Sequence, residues 1–191
     1  MRGGEYILNL DKVNEKEKGY LLGLFKGDGY SFHNKKDRHY SVEFYLNSKR
    51  NLEIIKQVCL LIKKLNLNPL LLKDKRFECI RVRVNSKNFF NFINQDFNKN
   101  FENADFSIGF VSGFLDAEGY VNNKKSMINI VNTNLSLMSF ISNILKENGI
   151  KSKISLRKKS RKNKQKIYIL HISVKFKSLK HLSIKAGSNR L

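Results

Sequence analysis

Two acidic residues, Asp28 and Glu118, occupy matched places in the two halves of the chain and could act together. Each follows a small residue and precedes a glycine, in residues 27–29 (Gly-Asp-Gly) and 117–119 (Ala-Glu-Gly). Glycine commonly ends a helix, and a carboxylate at that end faces the partial negative charge of the last carbonyl groups. Two such ends repel each other unless a cation lies between them. Carboxylate oxygens suit Mg²⁺, so the pair predicts a magnesium site that could also take substrate phosphates.

A stripe of small residues precedes each acid and predicts how the two acids are brought together. On a helix, residues four apart lie on one face. The two stripes are Gly19, Gly23 and Gly27, and Gly109, Gly113 and Ala117. Glycine inside a helix costs about 1 kcal/mol relative to alanine, and a close approach of two helix backbones can offset that cost. We therefore expect two helices packed along their stripes, with the two carboxylates side by side.

The two halves form an internal duplication. Residues 19–30 align without gaps on residues 109–120, and residues 61–75 align on residues 144–158. Hydrophobic periodicity gives each half the order αββαββα, with hairpins that predict antiparallel sheets. We expect a first half at 1–97, a linker at 98–103 and a second half at 104–191. The predicted helices lie near 17–27, 49–65, 86–96, 105–117, 135–148 and 177–185, and the predicted strands near 30–35, 40–46, 69–74, 77–84, 119–124, 127–132, 150–157 and 166–174.

The motif helices resemble those of a known protein family. Residues 21–29 (LLGLFKGDG) and 111–119 (VSGFLDAEG) resemble the two motifs of the LAGLIDADG homing endonucleases in their single-chain form, and the repeat resembles that family over nearly the whole chain. The resemblance implies an α+β fold of two pseudo-symmetric αββαββα subdomains. Their antiparallel sheets would form a DNA-binding saddle, and the two motif helices would pack at the pseudo-dyad.

The same resemblance implies an activity. It implies a monomeric, site-specific endonuclease that makes a staggered double-strand break in a long DNA target and takes part in intron homing. Hydrolysis would depend on Mg²⁺, with two or more divalent ions bound together with the DNA. The residues implied as catalytic and metal-binding are Asp28 and Glu118, and the backbone carbonyls of Gly27 and Ala117 would join the metal ligands. Lys26 and Asp116, one position earlier, are given no catalytic role. Candidates for the periphery of the active site are Asn47, Asn132, Lys124 and Lys125.

Alternation along the predicted strands indicates which side chains could contact DNA. Ile80, Val82 and Val84 would face the core, which leaves Arg81 and Arg83 on the other face. Arginine and lysine suit guanine and phosphate, and asparagine suits adenine. The basic run at 157–166 would grip phosphates. The full set of predicted DNA contacts is Ser31, His33, Lys35, Lys73, Lys75, Arg81, Arg83, Asn129, Lys151, Lys153, Ser155, Arg157 and His171.

Composition narrows the class of partner. The chain has 191 residues, with 37 Lys and Arg against 16 Asp and Glu, a formal net charge of +21. Such a charge favours a nucleic-acid partner. No run approaches the roughly 18 apolar residues of a membrane span, and the first residues lack a signal-peptide core. The two cysteines, Cys59 and Cys79, are expected to be buried free thiols. We expect the cytoplasm of a prokaryote, or an organelle matrix, as the compartment.

Three other functions stay open at this point. The family resemblance also includes maturases, which bind group I intron RNA and assist its splicing, so intron RNA is a possible second partner. It further includes DNA-binding modules without cleavage, although these usually lose the two carboxylates. A ribosomal or other structural RNA-binding protein would explain the charge but would leave the duplicated acidic motif unexplained.

Overall fold

Each half of the chain folds into a four-stranded antiparallel sheet with helices on one face. The computed structural model describes residues 7–74, 78–122, 127–157 and 166–173. Its α-helices are α1 (Glu15–Asp28), α2 (Leu52–Lys64), α3 (Lys87–Asn94), α4 (Ala104–Glu118) and α5 (Leu135–Glu147). Its strands are β1 (Gly29–Asn34), β2 (His39–Asn47), β3 (Leu70–Asp74), β4 (Cys79–Val84), β5 (Gly119–Asn122), β6 (Met127–Asn132), β7 (Lys151–Leu156) and β8 (Tyr168–Ser173). Short 3-10 helices cover Leu10–Lys12 and Asn98–Glu102, the latter within the expected linker.

The two sheets share one topology. The strand order is β1-β2-β4-β3 in the first sheet and β5-β6-β8-β7 in the second, and every neighbouring pair is antiparallel. This confirms the predicted duplication, the hairpins and the antiparallel sheets. The helix predicted near 177–185, the three lysines Lys75, Lys124 and Lys125, and residues 158–165 of the basic run lie outside the described residues.

Local signals set the ends of the two motif helices. The Asn14 side chain accepts a hydrogen bond from the Glu17 N–H while the Glu17 carboxylate accepts one from the Asn14 N–H, a capping box. Asn103 caps α4 by accepting from the Phe106 N–H. At the other end, Gly29 and Gly119 follow the last helical residue and begin strands β1 and β5. Each acidic residue is therefore the last residue of its helix.

The core lies between each sheet and its helices. On β2 and β6, alternate side chains face the helices and have no exposed surface: Val42, Phe44, Leu46, Ile128 and Ile130. Helix side chains complete the core: Leu21, Leu24, Val58, Leu61, Val111, Phe114, Met138 and Ile141. The other face of each sheet, called the open face below, is not covered by these helices. None of the described helices is long and apolar enough to cross a membrane.

Candidate active site

The two motif helices, α1 and α4, pack side by side in parallel, and their backbones nearly touch. A Cβ atom built on Gly23 would lie 2.8 Å from the carbonyl carbon of Phe110 and 2.9 Å from the amide nitrogen of Phe114. A Cβ on Gly113 would lie 2.7 Å from the amide nitrogen of Leu24. Real Cβ atoms essentially never approach backbone atoms so closely, so only glycine fits these positions. The predicted packing along the glycine stripes is confirmed.

The parallel arrangement places the two acidic residues at the same end of the helix pair. The contacts run in order along both helices, from Lys16 against Gly109 to Gly27 against Ala117. At that last contact a Cβ on Gly27 would lie 3.1 Å from Cγ of Glu118. Asp28, the next residue, is partly buried, as is Glu118. Two carboxylates and the last carbonyls of two helices therefore converge at one point, which makes it strongly favourable for cations.

The position before each acid is used differently in the two helices. Asp116 has no exposed surface and accepts a hydrogen bond of 2.9 Å from the Tyr20 hydroxyl on α1. Burial raises the pKa of Tyr20 strongly, and the charge and hydrogen bond of Asp116 raise it further, so this hydroxyl keeps its proton. Lys26, the matching residue of α1, is exposed. The sequence carried one signal for this bridge, an aspartate that follows the apolar pair Phe114 and Leu115 in α4.

The asparagines predicted at the periphery lie on opposite faces. Asn47 pairs with Cys79 on the open face, and its side-chain oxygen accepts from the N–H groups of Lys49 and Arg50. Asn132 pairs with Tyr168 on the helix-covered face and accepts from the Asn134 N–H. The two asparagines therefore do not occupy equivalent positions in the two halves, because each ends its strand one residue out of phase with the other.

Cys79 lies close to the first acid. Burial raises the pKa of its thiol, and the negative charges of Asp74 and Asp28 add to that shift. Cys59 and Cys79 are both free, as predicted, but each is only partly buried, so the expectation of buried thiols is wrong. Cys59 lies on an amphipathic helix and Cys79 on the open face of a sheet, and both positions leave part of the side chain accessible.

The open face of the second sheet carries most of its predicted DNA contacts. Lys151, Lys153 and Ser155 alternate with residues that face the helices, and Asn129 and His171 pair across neighbouring strands on the same face. His171 links Asn129 to Ser155, since its Nδ1 lies 2.8 Å from Asn129 Oδ1 and its Nε2 lies 2.8 Å from Ser155 Oγ. Arg157, the residue after β7, is exposed. The predicted placement of these side chains on the open face is confirmed.

On the first sheet, Arg81 and Arg83 also lie on the open face as predicted, but the residue that holds Arg83 was missed. Glu43 lies directly across from Arg83 and is 4% exposed. It accepts hydrogen bonds from Arg83 and from the Tyr45 hydroxyl. The alternation of side chains along β2 predicts that Glu43 lies on the open face. The register that sets it against Arg83 could not be read from the sequence.

Four other predicted DNA contacts do not lie on the open face of a strand: Ser31, His33, Lys35 and Lys73. Ser31 pairs with Val42 and donates to Asn94 of α3, while His33 stacks on Tyr40 with ring centroids 4.0 Å apart, so both face the helices. Instead, the aromatic residues Tyr30 and Phe32 face outward on β1 and are 52% and 44% exposed.

The errors have two physical causes. On β1, residues of α3 cover two side chains that were expected to contact DNA: Asn94 accepts a hydrogen bond from Ser31, and Phe90 lies beside His33. On β3, the run Leu70–Leu72 has no alternation to set the phase, and Lys73 pairs with Ile80 on the helix-covered side. Lys35 lies in the turn after β1 rather than on a strand.

The family follows from a comparison with known domains. Residues 15–95 and 105–182 each match the family model described as a LAGLIDADG-like domain. The chain belongs to the LAGLIDADG family. Each match begins at or next to the start of a motif helix, so the family repeat and the structural repeat coincide.

One relative and two solved structures show what else this LAGLIDADG protein is similar to. An uncharacterized protein of Methanocaldococcus jannaschii is 29% identical over 154 residues, which cover 78% of this chain and 55% of that protein. The structure of I-DmoI in complex with DNA and Ca is 25% identical with a TM-score of 0.65, and the match covers 88% of this chain and 89% of I-DmoI. Full-length DUF199/WhiA from Thermatoga maritima shares the fold, with a TM-score of 0.62 at 18% identity, covering 97% of this chain and 60% of WhiA.

The donor set of the LAGLIDADG site suits a divalent cation bound together with a substrate. Among the described residues, no cluster of three or more His, Cys, Asp or Glu side chains could hold a metal by itself. The chain offers two carboxylates, Asp28 and Glu118, and the neighbouring carbonyls of Gly27 and Ala117. These are the hard oxygen donors that Mg²⁺ prefers when waters and phosphate oxygens fill its remaining positions. Structures of I-DmoI with DNA are known with Ca, with Mn and with Mg.

Proposed function

We propose that this protein is a site-specific DNA endonuclease that cuts both strands of a long duplex by divalent-metal-dependent hydrolysis and leaves staggered ends. The observation that carries the proposal is the convergence of Asp28 and Glu118 at the ends of two parallel helices. The likeness to I-DmoI, a homing endonuclease solved in complex with DNA, supports it. Since one chain supplies both acids, we propose that it acts as a monomer.

The chain's own residues would bind the DNA and position its two scissile phosphates. The open faces of the two sheets flank the helix ends and present arginine, lysine and asparagine side chains, which suit phosphates and base edges. Asp28 and Glu118 would hold the divalent cations. The chemistry that such cations supply when bound is activation of water and stabilisation of charge on the attacked phosphate and the leaving oxygen. The glycine contacts fix the separation of the two acids, and so of the two cuts.

The direct test is a cleavage assay on a randomised duplex-DNA library, with Mg²⁺ and with EDTA. We expect metal-dependent double-strand cuts at one long site. Asp28→Asn and Glu118→Gln should each stop double-strand cleavage while leaving DNA affinity nearly unchanged. The matched control is Glu147→Gln, which removes an exposed acid from the last position of α5 and should cut like the wild type.

Two results would overturn the proposal. Full cleavage by either active-site variant in Mg²⁺ would show that these acids do not perform the chemistry. Absence of cleavage by the wild type, with tight and salt-sensitive binding to structured intron RNA instead, would point to a maturase. In that case Asp28→Asn should assist splicing as well as the wild type does.

A further inference from the structure

The open face of the first sheet contains a buried acid, Glu43. Its side chain is 4% exposed, although the aromatic residues Tyr30 and Tyr45 on the same face are 52% and 40% exposed. Burying a carboxylate is costly unless charged or hydrogen-bonding partners compensate. Both carboxylate oxygens of Glu43 have such partners, so Glu43 is the centre of a polar cluster on the open face.

The partners of Glu43 are held to different degrees. Arg83 donates from Nε to Oε1 at 2.5 Å, and its Nη2 lies 2.5 Å from the same oxygen. The Tyr45 hydroxyl donates to Oε2 at 2.7 Å. Arg81 lies farther away, with Nη1 3.6 Å from Oε2, beyond hydrogen-bond distance. Glu43 therefore fixes the guanidinium of Arg83 and only attracts that of Arg81.

The contact with Glu43 leaves the outer edge of Arg83 available. A guanidinium has five N–H donors; Glu43 accepts a hydrogen bond from Nε and forms an ion pair with Nη2. The remaining donors on Nη1 and Nη2 form a fork at the end of the side chain, which is 31% exposed. This fork matches O6 and N7 of guanine in the major groove, the commonest specific arginine contact with DNA.

The second sheet has a different pair at the same place. Glu43 and Arg83 face each other between β2 and β4, and Asn129 and His171 face each other between β6 and β8. The duplicated fold makes these two pairs structural equivalents, each one residue before a buried core pair. In the described part of the second sheet, His171 thus occupies the place of Arg83 and Asn129 the place of Glu43. The two halves of the target would be read by different chemistry.

We propose that Glu43 is a positioning residue that holds Arg83 for recognition of a G·C pair in the half of the DNA target bound by the first sheet. The inference rests on the proposed function, because it assumes that DNA lies across the open faces. A bidentate arginine–guanine contact discriminates against other pairs by about 5- to 150-fold. Removing the brace would release Arg83 from that geometry and reduce this discrimination.

The experiment measures base preference rather than affinity alone. A randomised duplex-DNA library is selected for binding in Ca²⁺ and sequenced for the wild type, Glu43→Gln and Arg83→Lys. We expect a strong guanine preference at one position, which both variants lose by about 5- to 150-fold while other positions keep theirs. Lys153→Ala changes a residue of the second sheet, so the positions at which it alters base preference identify the opposite half of the site. Glu53→Gln, which changes the charge equally on the exposed side of α2, should leave every preference unchanged.

The outcomes separate the brace from other roles. An unchanged base profile in Glu43→Gln would overturn the inference, and so would an equal loss of affinity for all sequences, as expected for a phosphate contact. Arg83→Lys keeps the charge opposite Glu43 and tests the same contact if Glu43→Gln fails to fold. Sequence-selective binding without cleavage in Mg²⁺ would refute the proposed function alone. No selection of any DNA sequence by the wild type would refute both.

Discussion

The buried bridge between Tyr20 and Asp116 makes the helix pair sensitive to alkali. The Tyr20 hydroxyl, on a side chain 8% exposed, donates to a carboxylate with no exposed surface. In Tyr20→Phe that carboxylate loses a donor while it stays buried. A hydrogen bond to a charged group contributes about 1.5–3 kcal/mol, so the variant should lose about 2 kcal/mol of unfolding free energy at neutral pH.

This difference should shrink as the pH rises above 10. Burial and Asp116 raise the pKa of Tyr20 above its ordinary value of 10.0 in the folded protein. Above pH 10 the unfolded chain releases the Tyr20 proton while the folded chain keeps it. The stabilisation is thus complete below pH 10 and is lost above it, by about 1.4 kcal/mol for each pH unit. At about pH 11 most of the gap between wild type and variant should be gone.

The assay is urea unfolding followed by circular dichroism, at neutral pH and at steps up to about pH 11. Lysines and the other tyrosines titrate in both proteins, so only the difference between the two curves is interpreted. Tyr120→Phe removes a hydroxyl from a side chain that is 67% exposed and serves as the control, with no gap expected at any pH. A gap that stays constant into alkali, or no gap at neutral pH, would refute the reasoning.

Three further predictions concern the helix pair and the second sheet. Gly113→Ala should lower the unfolding free energy by about 1–3 kcal/mol, although alanine favours helices, because the added Cβ meets the α1 backbone; equal stability in denaturant unfolding would contradict this. Ser112→Ala should be neutral or stabilising by up to about 1 kcal/mol, since the buried Oγ has no hydrogen-bond partner among the described residues; clear destabilisation in the same assay would reveal one. Replacing Lys151 and Lys153 together by alanine should reduce the slope of log affinity against log salt by up to about 2, and an unchanged slope would mean that neither lysine contacts phosphate.

The sequence predicted the fold well because its strongest signals are local and doubled. A glycine stop and a small-residue stripe appear once in each half, so a chance pattern in one half is checked by the other. The bounds of α1 and α4 fall within two residues of those expected. The convergence of Asp28 and Glu118 follows from the same stripes, because the side that lacks side chains is the side on which two helices can meet.

The sequence failed where a side chain's surroundings depend on strand register or on a distant element. Ser31 and His33 look like surface residues until α3 places Asn94 and Phe90 beside them. Lys73 follows three leucines that give no phase. Glu43 was missed because its role depends on the pairing of β2 with β4, about forty residues away in the chain. These are long-range contacts that alternation within one strand does not encode.

The Tyr20–Asp116 bridge also decides which half-chains can assemble with each other. The glycine contacts are made mostly by backbone, so by themselves they would accept a second copy of either half. The residue of α4 that matches Tyr20 is Phe110, and the residue of α1 that matches Asp116 is Lys26, so exchanging the two helices across the dyad brings Phe110 and Lys26 to these places. In this structure Phe110 and Lys26 line one cavity. Two first halves would set the Tyr20 hydroxyl against the Lys26 ammonium, and two second halves would bury Asp116 against Phe110. A chimaera that joins this first half to another second half should therefore keep an acid at the place of Asp116.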